Sequence, residues 1–175
     1  MAPTTLQRDT LATLSALSKD AFVARLGDIF EHSPWVAERA WEKRPFTTID
    51  ALHGAMVAAV DAASEAEQLA LICAHPELAG KEAAAGTLTR ASTGEQKGAG
   101  LDQCSAAEYA RLTALNAAYR ERFGFPFIVA VRGHTRQSII DAMAERLQHA
   151  REAEIAEALR QIGRIAAWRL ADLIG

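Results

Sequence analysis

The chain has 175 residues, half of them hydrophobic, and carries 19 Lys and Arg against 22 Asp and Glu for a formal net charge of −3. A length of this order predicts one domain over 1–175, able to bury a core without disulfide or metal staples. The charge balance excludes a general attraction to nucleic acid or anionic membrane, and no apolar run approaches the length of a bilayer span, so an anionic ligand has to be caught by a local site.

In chain order the pattern is helical nearly throughout. Leu6, Leu11, Leu14 and Leu17 recur at helical spacing from about Thr5, and Ser18 is placed to cap a second amphipathic stretch with Phe22, Leu26, Ile29 and Phe30. Ser33-Pro34 reads as the N-cap and first position of a short helix, Pro34 to Glu42, stopped by Arg44-Pro45 and expected to bury Trp35 and Trp41. Thr47 and Thr48 precede a helix to about Ala62, and Ser64 opens SEAEQLALICA, which leads to His75 and places Cys73 in an apolar run expected to be core. The Ala-, Gly- and Thr-rich linker from Gly80 to Thr93 fits no single regular element.

Ser105 is placed to cap a long helix to about Phe123, with Tyr109, Leu112, Leu115 and Tyr119 on one side and Gly124 as its stop. The continuous apolar run from Phe125 to Val131 breaks that pattern. A lone strand would have no partner for its backbone groups, so an extended piece whose N–H and C=O groups meet a ligand is expected instead. Thr135 caps a helix with Ile139, Ile140, Met143 and Leu147, and Arg151 to Ile174 forms the last one. The fold expected is all-α, a compact single-domain bundle of about eight helices. Cys73 and Cys104 are the two cysteines. With no N-terminal secretory signal and no Ser-Lys-Leu type of address in LADLIG, both are expected as reduced thiols of a cytoplasmic protein.

Two places carry chemistry. His75 stands directly before Pro76, which ends the preceding helix and leaves an imidazole beside unsatisfied carbonyls, a placement that favours the protonated ring. About twenty residues on, Ser92, Glu95 and Gln96 add a hydroxyl, a carboxylate and an amide in a segment that can turn back toward His75. The structural alternatives are a plain helix C-cap for His75 and a capping box for Ser92-Thr93-Gly94-Glu95. The second place is the last helix, where the apolar stripe Ile155, Leu159, Ile162, Ala166, Leu173 passes through Arg169. A guanidinium there needs an anion, supplied either by an acidic side chain or by a ligand. Arg132 and Arg136 are weaker candidates, and His32, His53, His134 and His149 are scattered rather than at metal-ligand spacing. No HExxH, paired CxxC, P-loop, GxGxxG or GxSxG occurs, which argues against metal and nucleotide dependence.

The three ordered motifs HPELAGK, STGEQKGAGL and FGFPFIVAVRG resemble those of the 2-oxo-4-hydroxy-4-carboxy-5-ureidoimidazoline (OHCU) decarboxylases, and the similarity runs from SPWVAERAW to the C-terminal helix. The resemblance implies cofactor-independent, metal-free decarboxylation of OHCU to (S)-allantoin in urate breakdown, with stereospecific protonation. It implies His75 as the acid/base group, Glu95 orienting or charging it, and Pro76 locking its geometry. Ser92 and Gln96 would hold the ureido and ring polar groups, the backbone at Phe127, Ile128 and Val129 would fix the ring, and Arg169 would bind anionic or carbonyl oxygen. The implied partner is a small anionic ureido-imidazoline, with neither nucleic acid nor membrane. The sequence leaves the oligomeric state open, and the resemblance implies a homodimer. Rival readings are an enzyme acting on another ureide and a non-catalytic helical adaptor.

Overall fold

Every helix needs partners for its first free N–H groups, and in six of the described helices a hydroxyl side chain accepts from one of them. A computed structural model describes residues 9–174. Among them are ten α-helices, one 3-10 turn and no strand, apart from a single bridge between Asp9 and Ile174. Eight of the helices have seven residues or more, in line with the bundle expected from the sequence. No described helix is long and apolar enough to cross a membrane.

The chain divides into two compact units. The first runs to Ser64 and takes in the chain from Gly163 onward. It holds α1 (Leu11–Ser15), α2 (Lys19–Leu26), α3 (Trp35–Trp41), α4 (Ile49–Asp61) and the end of α10 (Arg151–Leu173). Thr10, Ser18 and Thr48 cap α1, α2 and α4, each hydroxyl accepting from the backbone N–H three residues on. The capped helix therefore starts at Leu11, and the expected positions Thr5 and Leu6 lie outside the described residues. The core is built from Leu14, Phe22, Leu26, Val36, Leu52, Met56, Ala166 and Leu170, with Phe22 stacked on Phe46 at 6.1 Å between ring centroids.

Three expectations in this unit are corrected. Ser33 does not cap α3, because its hydroxyl donates back to the Glu31 carbonyl at 2.9 Å and Pro34 takes the cap position. Trp35 and Trp41 are only half-buried: α3 turns Val36, Ala37 and Ala40 inward and leaves the indoles to Arg39 and Arg44, 4.5 and 3.3 Å from their ring centroids. Ile29 and Phe30 are buried as expected but lie past the end of α2.

The second unit, Glu65–Ile162, comprises α5 (Glu65–Ala74), α6 (Lys81–Ala85), α7 (Arg90–Gly98), the 3-10 turn Leu101–Gln103, α8 (Ala106–Phe123), α9 (Arg136–Arg146) and the beginning of α10. Ser105 and Glu108 form the capping box of α8, and Gly124 stops it at φ 82, a left-handed value that only glycine adopts without strain. Thr135 caps α9. Tyr119 is the hub of an aromatic cluster, its ring centroid 4.6, 5.9 and 5.4 Å from those of Phe123, Phe125 and Phe127. Tyr109 is exposed rather than aligned with that face, because the first turn of α8 projects beyond the core that Leu112, Leu115 and Tyr119 enter. Cys73 is also exposed, since α5 directs Leu71 and Ile72 inward and the next position rotates away. Both cysteines are free thiols.

On α10, Glu157 accepts from Arg160 Nε and Nη2 at 2.8 and 2.7 Å and from the Gln161 amide at 2.8 Å. The Arg160 fork holds the Glu157 carboxyl down at about 2, against an ordinary 4.5. A depressed carboxylate stabilises the fold above its unfolded value and loses that contribution as pH falls through the folded value. Thermal melts between pH 4.5 and 2 should therefore fall less steeply for Glu157→Gln than for the wild type.

Candidate active site

His75 follows the last residue of α5, as the pre-proline position dictates, and is 8% exposed. Its Nδ1 lies 3.0 Å from the Leu71 carbonyl oxygen, one of the acceptors that the helix end leaves open. A carbonyl only accepts, so Nδ1 carries the hydrogen, and Nε2 is the position whose protonation can change. The capping and acid/base readings are thus compatible, because they use different nitrogens of one ring.

The turn after His75 is held from several sides. Arg120 Nε donates to Glu77 Oε1 at 2.7 Å, and Asn116 Nδ2 donates to the Leu78 carbonyl at 2.9 Å. Ala79 adopts φ 50, a left-handed conformation that costs a non-glycine residue about 1–2 kcal/mol. Its N–H donates to Gln96 Oε1 at 2.9 Å, while Gln96 Nε2 donates to the Glu77 carbonyl at 3.3 Å. Gly80 is required here, since a Cβ would stand 2.7 Å from that of Glu77. Gln96 thereby ties α7 to the turn that follows His75.

Ser92, Glu95 and Gln96 all lie on α7, and the spacing of three and four puts them on one side. Ser92 and Gln96 are buried and Glu95 is half-buried. The capping-box reading of Ser92 is corrected. The N-cap is Thr89, whose hydroxyl accepts from the Ser92 N–H at 3.2 Å, so the helix begins three residues before the S-x-x-E pattern suggested. The linker expected to be irregular holds α6 and the start of α7. Thr89→Ala should therefore destabilise the protein by about 1 kcal/mol through cap loss, and Ser92→Ala should not lose a cap. Thermal melts of the two variants separate these outcomes.

Residues 125–131 are buried and run free of helix, with neither turn nor bend from 126 to 131. The backbone is met by side chains: Arg146 Nη1 donates to the Ile128 carbonyl at 2.6 Å, and the Ala130 N–H donates to Gln161 Oε1 at 3.0 Å. Arg146 also donates from Nε to Glu154 Oε1 at 2.8 Å and lies 4.4 Å from the Phe127 ring centroid. Glu154 has no exposed surface and additionally accepts from the Tyr119 hydroxyl at 2.5 Å and meets His149 Nδ1 at 2.9 Å. Burial, reinforced by the hydrogen bond to Glu154, pushes the Tyr119 phenol well above its ordinary value, so it stays a donor. Arg146, Glu154, Gln161 and Asn116 were not among the sequence candidates. The buried positions of α10 are Glu154, Ala158, Gln161, Ile162, Ala166, Arg169 and Leu170; they share Ile162, Ala166 and Arg169 with the stripe read from the sequence, whereas Ile155, Leu159 and Leu173 are half-buried.

Helix α8 connects these parts. Asn116 and Arg120 hold the turn after His75, and Tyr119 joins the cluster behind Ile128. Arg169 belongs to the other unit, where it is 7% exposed and donates from Nη1 to Glu31 Oε2 at 2.8 Å and to the Asp28 and Ile29 carbonyls at 3.3 and 3.4 Å. Its required anion includes a protein carboxylate that is itself 2% exposed. Arg136 supports the fold through Glu108 and the Gly100 carbonyl, and Arg132 is exposed. Among the described residues no three His, Cys, Asp or Glu converge as metal ligands.

Comparison with known proteins gives a consistent result. The profile of the family described as OHCU decarboxylase matches residues 15–171. The 2-oxo-4-hydroxy-4-carboxy-5-ureidoimidazoline decarboxylase of Haloferax volcanii is 44% identical over 163 residues, covering 93% of this chain and 95% of that protein. The uric acid degradation bifunctional protein of Bacillus subtilis is also 44% identical, over 94% of this chain but 33% of its own length. The crystal structure of an (S)-allantoin synthase superposes with a TM-score of 0.77 at 34% identity, over 95% of this chain and 54% of that one.

Proposed function

The chain belongs to the OHCU decarboxylase family, and from that premise we propose that it is a carboxy-lyase converting OHCU to (S)-allantoin in urate catabolism. The observation that carries the reading is the match to full-length decarboxylases over a span that includes every candidate residue. In the reaction the C–C bond to the carboxylate breaks and CO2 leaves. The bonding pair forms a C=C bond to the neighbouring ring carbon as that carbon's imine π pair goes to nitrogen, which takes a proton. The hydroxyl then loses its proton as its carbon becomes the carbonyl, and the neighbouring carbon takes one to become the stereocentre. The substrate is its own electron sink, so the protein has to orient the carboxylate, stabilise developing charge and deliver the proton to one face.

His75 is the acid/base group and acts through Nε2, with its Nδ1–H anchored on Leu71. Glu95 supports the charged ring, and Pro76 restricts the backbone that carries it. Ser92 and Gln96 hold the ureido and ring polar groups; because Gln96 already uses both ends of its amide on the turn, its substrate contact falls to the second hydrogen of Nε2 or the second lone pair of Oε1. The Phe127, Ile128 and Val129 backbone fixes the ring, and Arg169 contacts anionic or carbonyl oxygen. The reading extends to a cofactor-independent, cytoplasmic homodimer, for which sedimentation at twice the chain mass is the check.

The activity test generates OHCU in situ by enzymatic oxidation of urate in the presence of the preceding hydrolase. Added protein should hasten the optical decay of OHCU and yield one enantiomer of allantoin by circular dichroism. Unchanged decay and racemic product would sink the decarboxylase reading, and an adaptor would behave in that way.

A further inference from the structure

The backbone from Phe127 to Ala130 is buried and lacks a strand partner among the described residues, so side chains must satisfy its polar groups. In an extended chain the N–H and C=O of one residue point to the same edge, and successive residues alternate edges. Ile128 and Ala130 therefore share an edge, and that is the edge where Arg146 donates to the Ile128 carbonyl and Gln161 accepts from the Ala130 N–H. Phe127 and Val129 present the opposite edge.

We propose that Arg146 and Gln161 are positioning residues for the substrate. By occupying the Ile128 and Ala130 edge they turn the N–H and C=O groups of Phe127 and Val129 toward the ring. The inference rests on the decarboxylase reading, in which this backbone meets the ligand, and narrows three residues to two.

Each clamp is held from behind. Glu154 fixes Arg146 through Nε, and Glu157 fixes the Gln161 amide through Nε2, so neither side chain is free to drift from the backbone. Stability alone is a poor reason for the first of these. A buried ion pair is often no better than apolar residues of similar volume, and Arg146 Nη2 is buried without a hydrogen-bond partner among the described residues. A guanidinium does what an apolar filler cannot: its planar fork reaches the carboxylate and the Ile128 carbonyl together.

The test begins with Gln161→Leu, which keeps volume and removes the acceptor. Loss of contacts made equally in ground and transition states raises KM with little change in kcat, so KM should rise roughly tenfold and kcat change less than about threefold. The product should remain one enantiomer, because proton delivery belongs to His75. Gln161→Glu combined with Glu157→Gln retains an acceptor for the Ala130 N–H and an amide-to-carboxylate hydrogen bond behind it, and should bring KM back toward the wild type. A merely structural role would lower the melting temperature and leave KM per folded molecule unchanged. Wild-type KM in folded Gln161→Leu, or no recovery in the Gln161→Glu, Glu157→Gln double variant, overturns the proposal.

A measurement on the wild-type protein covers the case in which Gln161→Leu does not fold. On titration with (S)-allantoin, the backbone amide resonances of Phe127 and Val129 should shift more than that of Ala130. The reverse order overturns the edge assignment. Failure of the wild type to hasten OHCU decay would instead overturn the decarboxylase reading, so the two failures are distinguishable.

Discussion

The His75→Asn protein is expected to fold normally and to lose on the order of 10²–10⁴-fold in turnover, the range that a positioned general acid supplies. One contact of His75 with the fold is its Nδ1–H on the Leu71 carbonyl, a donation that the Asn side-chain amide can make in its place, so the stability loss should be small. The catalytic loss should be large because Asn offers no group that gains and releases a proton near neutral pH. Loss of enantiomeric control is the more specific signature. If the proton comes from Nε2, its removal leaves water to protonate either face, and the allantoin circular dichroism signal should collapse with the rate. A folded His75→Asn enzyme that keeps near-normal rate and still makes one enantiomer would show that the proton comes from water held by the remaining polar groups. If Glu95 supports the charged ring as proposed, Glu95→Gln should give a milder loss and move the His-dependent limb of the pH–rate profile to lower pH, since the negative charge is gone.

Arg169→Met should cost about 3–5 kcal/mol of stability, because it removes the guanidinium from Glu31, a carboxylate buried with it. Adding Glu31→Gln should recover much of that loss, which chemical denaturation of the single and double variants would measure. Arg169→Lys addresses the other role. Lysine keeps the charge and can still meet Glu31, but it loses the planar fork, so a substrate contact predicts weaker turnover with most of the stability kept. A purely internal pair predicts the reverse, with lower melting temperature and normal activity per folded molecule.

The helices with local punctuation were legible because their signals are satisfied within one turn. Ser18, Thr48, Ser105 and Thr135 each accept from a backbone N–H three residues away, and Gly124 stops α8 by its own conformational freedom. Where two caps compete the same local logic misleads: Thr89 and Ser92 both fit, and the earlier one is used. His75, Ser92, Glu95 and Gln96 were visible as polar residues in a segment poor in core-forming side chains.

The sequence by itself determined that the chain is all-α, where most of its helices begin and end, and that an arginine on the inward stripe of the last helix requires an anion. Only the tertiary structure decided which anion meets it, because Glu31 lies 138 residues away and nothing local to Arg169 points there. The same holds for Glu154 and Gln161. A polar residue near the border of an apolar stripe is solvated unless something distant pairs with it, and their partners Tyr119 and Ala130 stand 35 and 31 residues off. Burial of those groups depends on hydrogen bonds made across the fold, whereas capping and periodicity depend on bonds made within a turn.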